Sequence, residues 1–214
     1  MIADRHDNLR QILLAALLLG SFGLLGSGLL SLTQRVTAPL IQQNERATLG
    51  ALLADLIPPQ AYDNPITEDW IRVRDPVLLG SDEPITVYRA YHEGRPVAVF
   101  ATPVAPDGYG GPIRLLVATR ADGRLAGVRV LAHRETPGLG DVIEADRSDW
   151  IRGFAGRALG DPPLSAWALR RDGGAFDQFT GATITPRAVV RAVRDWLRYF
   201  EIHRERLFAP REST

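Results

Sequence analysis

Ile113 to His133 reads IRLLVATRADGRLAGVRVLAH, and its two apolar runs decide what kind of fold this chain makes. They meet at Ala121-Asp122-Gly123. Asp-Gly supplies the positive φ that a tight strand-to-strand turn requires, so the stretch predicts a β-hairpin. Just upstream, ITVYRAYHEGRPVAVFATPV, Ile85 to Val104, repeats the pattern with its joint at Glu93-Gly94. Two hairpins in succession predict a mostly antiparallel sheet.

The segments flanking the second hairpin are not regular elements. PDGYGGP, Pro106 to Pro112, places three glycines around Tyr109. It is either a long flexible turn or a place where backbone approaches something closely. HRETPGLGDVIE, His133 to Glu144, is broken in both periods by Pro137, Gly138 and Gly140. Such a loop can lay amide groups and one apolar side chain, Leu139, against a flat ligand; it is also simply a connection. Ser148 then caps a short helix, DWIRGFAG.

The C-terminal region predicts a helix starting at Pro186, with Thr185 as N-cap. Val189, Val193, Trp196, Leu197 and Phe200 recur at helical spacing as its core face. Arg187, Arg191, Arg194 and Arg198 line the other side, read as a solvated face rather than a docking surface.

Toward the N-terminus, Ile12 to Leu32 reads ILLAALLLGSFGLLGSGLLSL without a charge. A bilayer core of about 30 Å needs about 20 such residues as a helix. The run is long for a signal peptide, and LSLTQRVT lacks an A-x-A cleavage pattern, so the span reads as an uncleaved anchor. With no charged residue inside it, the span by itself makes a poor ion path. Arg5 and Arg10 precede it, Arg35 and Arg46 follow, and this balance barely orients it. Next, TAPLIQQNERATLGALLADLIPP predicts a separate helix, capped by Thr37, opened by Pro39 and stopped by Pro58-Pro59. Leu49, Leu52, Leu53, Leu56 and Ile57 form its apolar stripe.

The fold expected is therefore α+β: one transmembrane helix, then a mostly antiparallel sheet domain with packed helices. The divisions are residues 1–11 before the membrane, 12–32 across it, 33–84 as linking helix and lead-in, and 85–214 as the domain.

Composition narrows the chemistry. The formal net charge is zero, so no general attraction to nucleic acid follows. Lysine is absent, which excludes Schiff-base and P-loop lysine chemistry. Cysteine is absent too, which excludes disulfides, thiolate catalysis and Cys-ligated clusters. His6, His92, His133 and His203 show no ligand spacing, so no metal site is expected.

Against that background DQFTGATITPRAV, Asp177 to Val189, stands out. Thr183 lies just ahead of a helix N-terminus, where amides and the helix dipole favour an anion such as phosphate. Gly181 and Ala182 leave room for a bulky group to reach its hydroxyl, and Arg187 in the first turn could add a counter-charge. Ordinary capping chemistry explains the same residues.

The heptapeptide DQFTGAT matches an Asp-x-x-Ser/Thr-Gly-Ala-Thr signature. With ETPGLGD, WIRGF, the single span and the terminal helix, the chain resembles the RnfG family, the G component of the Rnf-type ion-translocating electron transport complex. It is also similar to the C component of the sodium-pumping NADH:quinone reductase, but the short connection from membrane to sheet favours the former. The resemblance implies FMN bonded through a phosphoester to Thr183, donated from FAD by a separate Mg²⁺-dependent flavin transferase. It implies that Glu135, Thr136, Gly138, Leu139 and Gly140 lie along the isoalloxazine ring. Asp177, Thr180, Gly181 and Ala182 would be read by the transferase and shape the turn. Pro186 departs from the small polar residue frequent in relatives, yet suits a first helical turn. The resemblance further implies an electron carrier rather than a catalyst, a domain facing the periplasm from the inner membrane, and partners among the other membrane subunits between ferredoxin and NAD. An anchored scaffold whose turn merely caps a helix, and a hydrolase with Thr183 as nucleophile, are the competing readings.

Overall fold

The computed structural model describes residues 3–209. Met1, Ile2 and residues 210–214 lie outside it, as do the side chains of Arg5, Arg10 and Arg46, which entered the charge comparison above. The chain divides into two units, Met1–Leu49 and Gly50–Thr214.

One helix, α1, runs from Ala3 to Leu56. Its window Ala16–Arg35, 20 residues, is long and apolar enough to cross a membrane and is wholly unburied. The expected break at Thr37-Ala38-Pro39 does not occur. A proline inside a helix forfeits one backbone hydrogen bond and crowds the previous turn, at a cost of about 3 kcal/mol. Ending the helix there would require nucleating a second one, which is itself costly. The stop at Pro58-Pro59 is observed: α1 ends at Leu56 and Pro58 is extended.

The second unit is built on a six-stranded antiparallel sheet. Its strands are β1 (Trp70–Val73), β2 (Ile85–His92), β3 (Arg95–Ala101), β4 (Val104–Ala105), β5 (Ile113–Arg120) and β6 (Leu125–Ala132). A one-turn helix, α2 (Pro76–Leu79), joins β1 to β2 and is capped by the Asp75 carboxylate. Both expected hairpins are present. Glu93 and Gly94 turn β2 into β3 with φ of 49° and 73°, and Gly123 at φ 90° closes β5 onto β6. The register pairs Tyr88 with Phe100 and Val117 with Val128. β5 is the hub: β3 and β4 pair with successive stretches of it, and β6 pairs with it as well.

Both faces of this sheet are covered, which explains why β5 reads as a nearly continuous apolar run. Val87, Val99, Ala101, Leu115, Val117 and Val128 join one core with helix α3 (Ile184–Leu207). The alternate residues Ala98, Phe100, Leu116 and Ala118 are buried outside that core. On that side lie the last turns of α1: Leu53, Leu56 and Ile57 are buried, Leu56 reaches Gly127, and Asp55 pairs with Arg129 at 2.6 Å.

The apolar face expected for α3, Val189 through Phe200, is buried as its spacing required. The Trp196 indole N–H donates to the Thr119 hydroxyl at 2.8 Å, so the one polar group of the buried ring is satisfied. Its arginine stripe is an ion-paired face: Arg187 with Asp172, Arg191 with Asp107, Arg194 and Arg198 with Asp195. The start of α3 differs from expectation. It begins at Ile184, with Thr183 in the cap position, so Thr185 is inside the first turn rather than ahead of it. The short helix expected after Ser148 is present as a 3₁₀ turn, Trp150–Phe154, and the Ser148 hydroxyl accepts from the Trp150 amide at 3.2 Å.

Candidate functional site

Three loops converge at the N-terminal end of α3 and enclose a cleft of about 340 Å³. One is the glycine loop between β4 and β5, which contributes Tyr109. The second follows β6 and contributes Glu135, Thr136, Leu139 and Gly140. The third is the turn into α3, from Gly181 to Thr185. The volume lies within the range of small-molecule sites.

The loop after β6 holds itself open by local hydrogen bonds. The Leu139 and Gly140 amides donate to the Thr136 carbonyl at 3.1 and 3.0 Å, and Gly138 takes φ 78°. The Gly138 amide donates to the Asp141 carboxylate at 2.7 Å. The Glu135 amide donates to His133 Nδ1 at 3.0 Å, while His133 Nε2 lies 2.7 Å from the Glu144 carboxylate. Leu139 is thereby presented outward, 46 % exposed.

Glu135 is the join between loops. It is 5 % exposed. Oε1 accepts from the Gly110 amide at 3.0 Å, and Oε2 accepts from the Thr185 hydroxyl. That second bond explains why Thr185 is not a cap: its hydroxyl is directed into the protein. Close packing accounts for the glycines. A Cβ on Gly110 would fall 1.9 Å from the Arg134 carbonyl oxygen, and one on Gly140 would fall 2.7 Å from Glu135 Cβ. The sequence PDGYGGP is thus a site of close backbone approach, and Tyr109 projects from it 70 % exposed.

The third loop is braced from below by aromatic rings. The Trp150 indole N–H donates to the Asp177 carbonyl at 2.8 Å, and its ring meets Phe179 edge-on at 5.2 Å. Phe154, Phe176 and Trp167 continue the cluster. Gly181 takes φ 83°, a left-handed conformation that a side chain resists. The chain then enters α3 with Thr183 half-buried on the cleft wall, its hydroxyl bonding to no helix amide. Among the described residues, no backbone carbonyl accepts from the Ile184 and Thr185 amides, as is usual in a first helical turn, and Pro186 has no N–H to offer. Tyr109, Leu139 and Ile184, the last 47 % exposed, form an apolar rim.

Of the residues singled out in the sequence, the fold brings Glu135, Thr136, Leu139, Gly140, Gly181, Ala182 and Thr183 to one cleft. Gly138 and Thr180 shape the loops without lining it. Asp177 is outside, exposed and paired with Arg170 at 2.9 Å. Arg187 is also outside; its guanidinium grips Asp172 at 2.8 to 3.1 Å. Sequence reasoning missed Tyr109, Ile184 and Thr185 as lining residues. The glycines around Tyr109 were the available signal. Among the described residues, no histidine lines the cleft. Burial raises the pKa of Tyr88, Tyr91 and Tyr199, none of which lines this cleft.

Comparison with known proteins agrees with this layout. The FMN-binding domain family matches residues 108–198, which include all three loops. The RnfG N-terminal region matches residues 1–56, which include the long helix. The G component of the ion-translocating oxidoreductase complex of Pseudomonas aeruginosa (strain UCBPP-PA14) is 52% identical over 205 residues, 96% of each chain. The same component in Shewanella loihica is 46% identical over 198 residues, 92% of this chain and 93% of its own. That of Vibrio cholerae serotype O1 is 44% identical over 191 residues, 89% and 91%.

Proposed function

The chain belongs to the RnfG family, the G components of the ion-translocating oxidoreductase complexes, and from that premise we propose that it carries FMN bonded through a phosphoester to Thr183. The observation that carries the proposal is the position of that hydroxyl. It lines a cleft, at the N-terminus of a 24-residue helix, and caps no amide of that helix.

The residues present fit the group. The Ile184 and Thr185 amides and the positive end of the α3 dipole would hold a phosphate bonded to Thr183 by stabilising its negative charge. Gly181 and Ala182 keep the approach to the hydroxyl unobstructed. Tyr109, Leu139 and Ile184 offer apolar surface to a flat ring system. We assign the anion-holding role to the amides; Arg187, already neutralised by Asp172, is a second-line charge at most.

Bound FMN supplies one- and two-electron redox chemistry; the protein supplies position, environment and retention. In this reading the protein is an electron carrier on a route between ferredoxin and NAD, held by α1 in the inner membrane with its domain in the periplasm. A separate flavin transferase loads it, reading Asp177 and the exposed Thr180. Glu135, on the second loop, ties it to the first loop and to the turn into α3, and the aromatic brace supports that turn from below. The hydrolase reading loses support because the cleft offers Thr183 no histidine among the described residues, and both oxygens of Glu135 are engaged.

Co-expression with a flavin transferase tests the proposal. The full-length chain should gain one FMN by intact mass and fluoresce in a denaturing gel, and Thr183→Ala should do neither. A wild-type chain that stays unmodified while its complex transfers electrons would instead favour the scaffold.

A further inference from the structure

We infer that the Glu135 carboxylate, besides joining the loops, lowers the redox potential of a flavin held in the cleft, by fixing an uncompensated negative charge beside it. The inference rests on the flavin reading of the cleft and adds an electrostatic role to the group that joins its loops.

Glu135 is nearly sealed from solvent yet lines the cleft. Both of its oxygens accept from neutral donors, the Gly110 amide and the Thr185 hydroxyl. The basic side chains of neighbouring segments are engaged elsewhere: His133 faces Glu144, Arg147 faces Asp141 and Glu144, and Arg187 faces Asp172. Arg134, its chain neighbour, is exposed. Among the described residues, none forms an ion pair with Glu135. The chain has also fitted itself closely around this group. A Cβ on Gly108 would lie 2.8 Å from Oε1, and one on Gly140 would lie 2.7 Å from Oε2. A carboxylate held this tightly, by dipoles rather than by a counter-charge, keeps its field directed into the cleft.

A fixed negative charge in a medium of low effective dielectric opposes the arrival of further negative charge. An electron delivered to a cofactor in this cleft is therefore held less firmly than it would be over a neutral floor. At an effective dielectric of about 20 and a separation of about 10 Å, one unit charge changes the ratio of reduced to oxidised cofactor by about tenfold. The same carboxylate ties the loop bearing Tyr109 to the turn into α3, so charge and geometry act through one residue.

Three variants of the full-length chain separate the two effects, each co-expressed with a flavin transferase. FMN content is read by intact mass and midpoint potential by spectroelectrochemical titration. Glu135→Gln keeps the shape and removes the charge; its potential should move positive by the equivalent of about tenfold. Glu135→Asp keeps the charge on a shorter stem; it should load less FMN but retain the wild-type potential. Thr185→Val removes a donor that stabilises the charged carboxylate and should move the potential measurably away from the wild-type value. An unchanged potential in a loaded Glu135→Gln protein overturns the inference, as does an equal positive shift in Glu135→Asp. If Glu135→Gln does not fold or load, Thr185→Val decides, and a wild-type potential there overturns it. A wild-type chain without FMN overturns the proposed function itself, a distinct outcome visible before any variant is compared.

Discussion

Thr183 and Thr185 are two residues apart in the same threonine-rich turn, and their hydroxyls have opposite fates. Thr185 is 1 % exposed and donates to Glu135. Thr183 is on the cleft wall and caps nothing. This difference was not legible in the sequence, where capping rules favoured Thr185 as the cap. Those rules describe an isolated helix end and take no account of a buried carboxylate 50 residues away that claims the hydroxyl. Replacement tests the assignment. Thr183→Ser keeps a hydroxyl in place and should retain the flavin adduct, whereas Thr183→Ala should lose it completely; equal loss in both by mass spectrometry would point to a steric role. Arg187→Gln should reduce loading by less than about threefold, because its charge already belongs to Asp172 and exposed pairs contribute little. A loss of FMN per chain well beyond that would return Arg187 to the phosphate.

At the scale of elements, the hairpins and the core face of α3 were legible because turn chemistry and periodicity act locally. Glu93-Gly94 and Asp122-Gly123 specify turns, and Val189 through Phe200 specify a buried stripe, whatever surrounds them. The irregular loops were legible only as irregular. What holds them is tertiary: the Glu135 bonds and the Trp150 brace link residues far apart in the chain. Trp150→Phe keeps the ring against Phe179 but removes the N–H donated to the Asp177 carbonyl. It should cost about 1 kcal/mol in denaturant unfolding and slow flavin loading while leaving the final adduct on the same residue. Unaltered loading kinetics would mean that the brace stabilises the fold without presenting the turn. In the core, Trp196→Phe strands the buried Thr119 hydroxyl, and a loss of about 1 to 3 kcal/mol is expected. A loss well below that range would show that the hydroxyl finds another partner.

For the whole molecule, the apolar run announced the membrane helix, but composition did not announce its full length. Pro39 looked like a beginning, and the helix passes through it from Ala3 to Leu56. Orientation across the membrane was equally hidden, since arginines flank the span on both sides. The absence of cysteine makes that orientation directly measurable. Asp82→Cys, at an exposed position in the second unit, would be the sole thiol. A membrane-impermeant maleimide should label it in cells with a permeabilised outer membrane; labelling only after the inner membrane is broken would place the domain in the cytoplasm. The central claim, that this chain is built to hold FMN on one hydroxyl, is tested most directly on wild-type protein recovered from membranes after loading. Trypsin releases the stretch from Asp172 to Arg187 as one peptide holding Thr180, Thr183 and Thr185. Fragmentation of that peptide should locate an FMN-sized addition on Thr183, and an addition on Thr180 or Thr185, or none at all, would contradict the account.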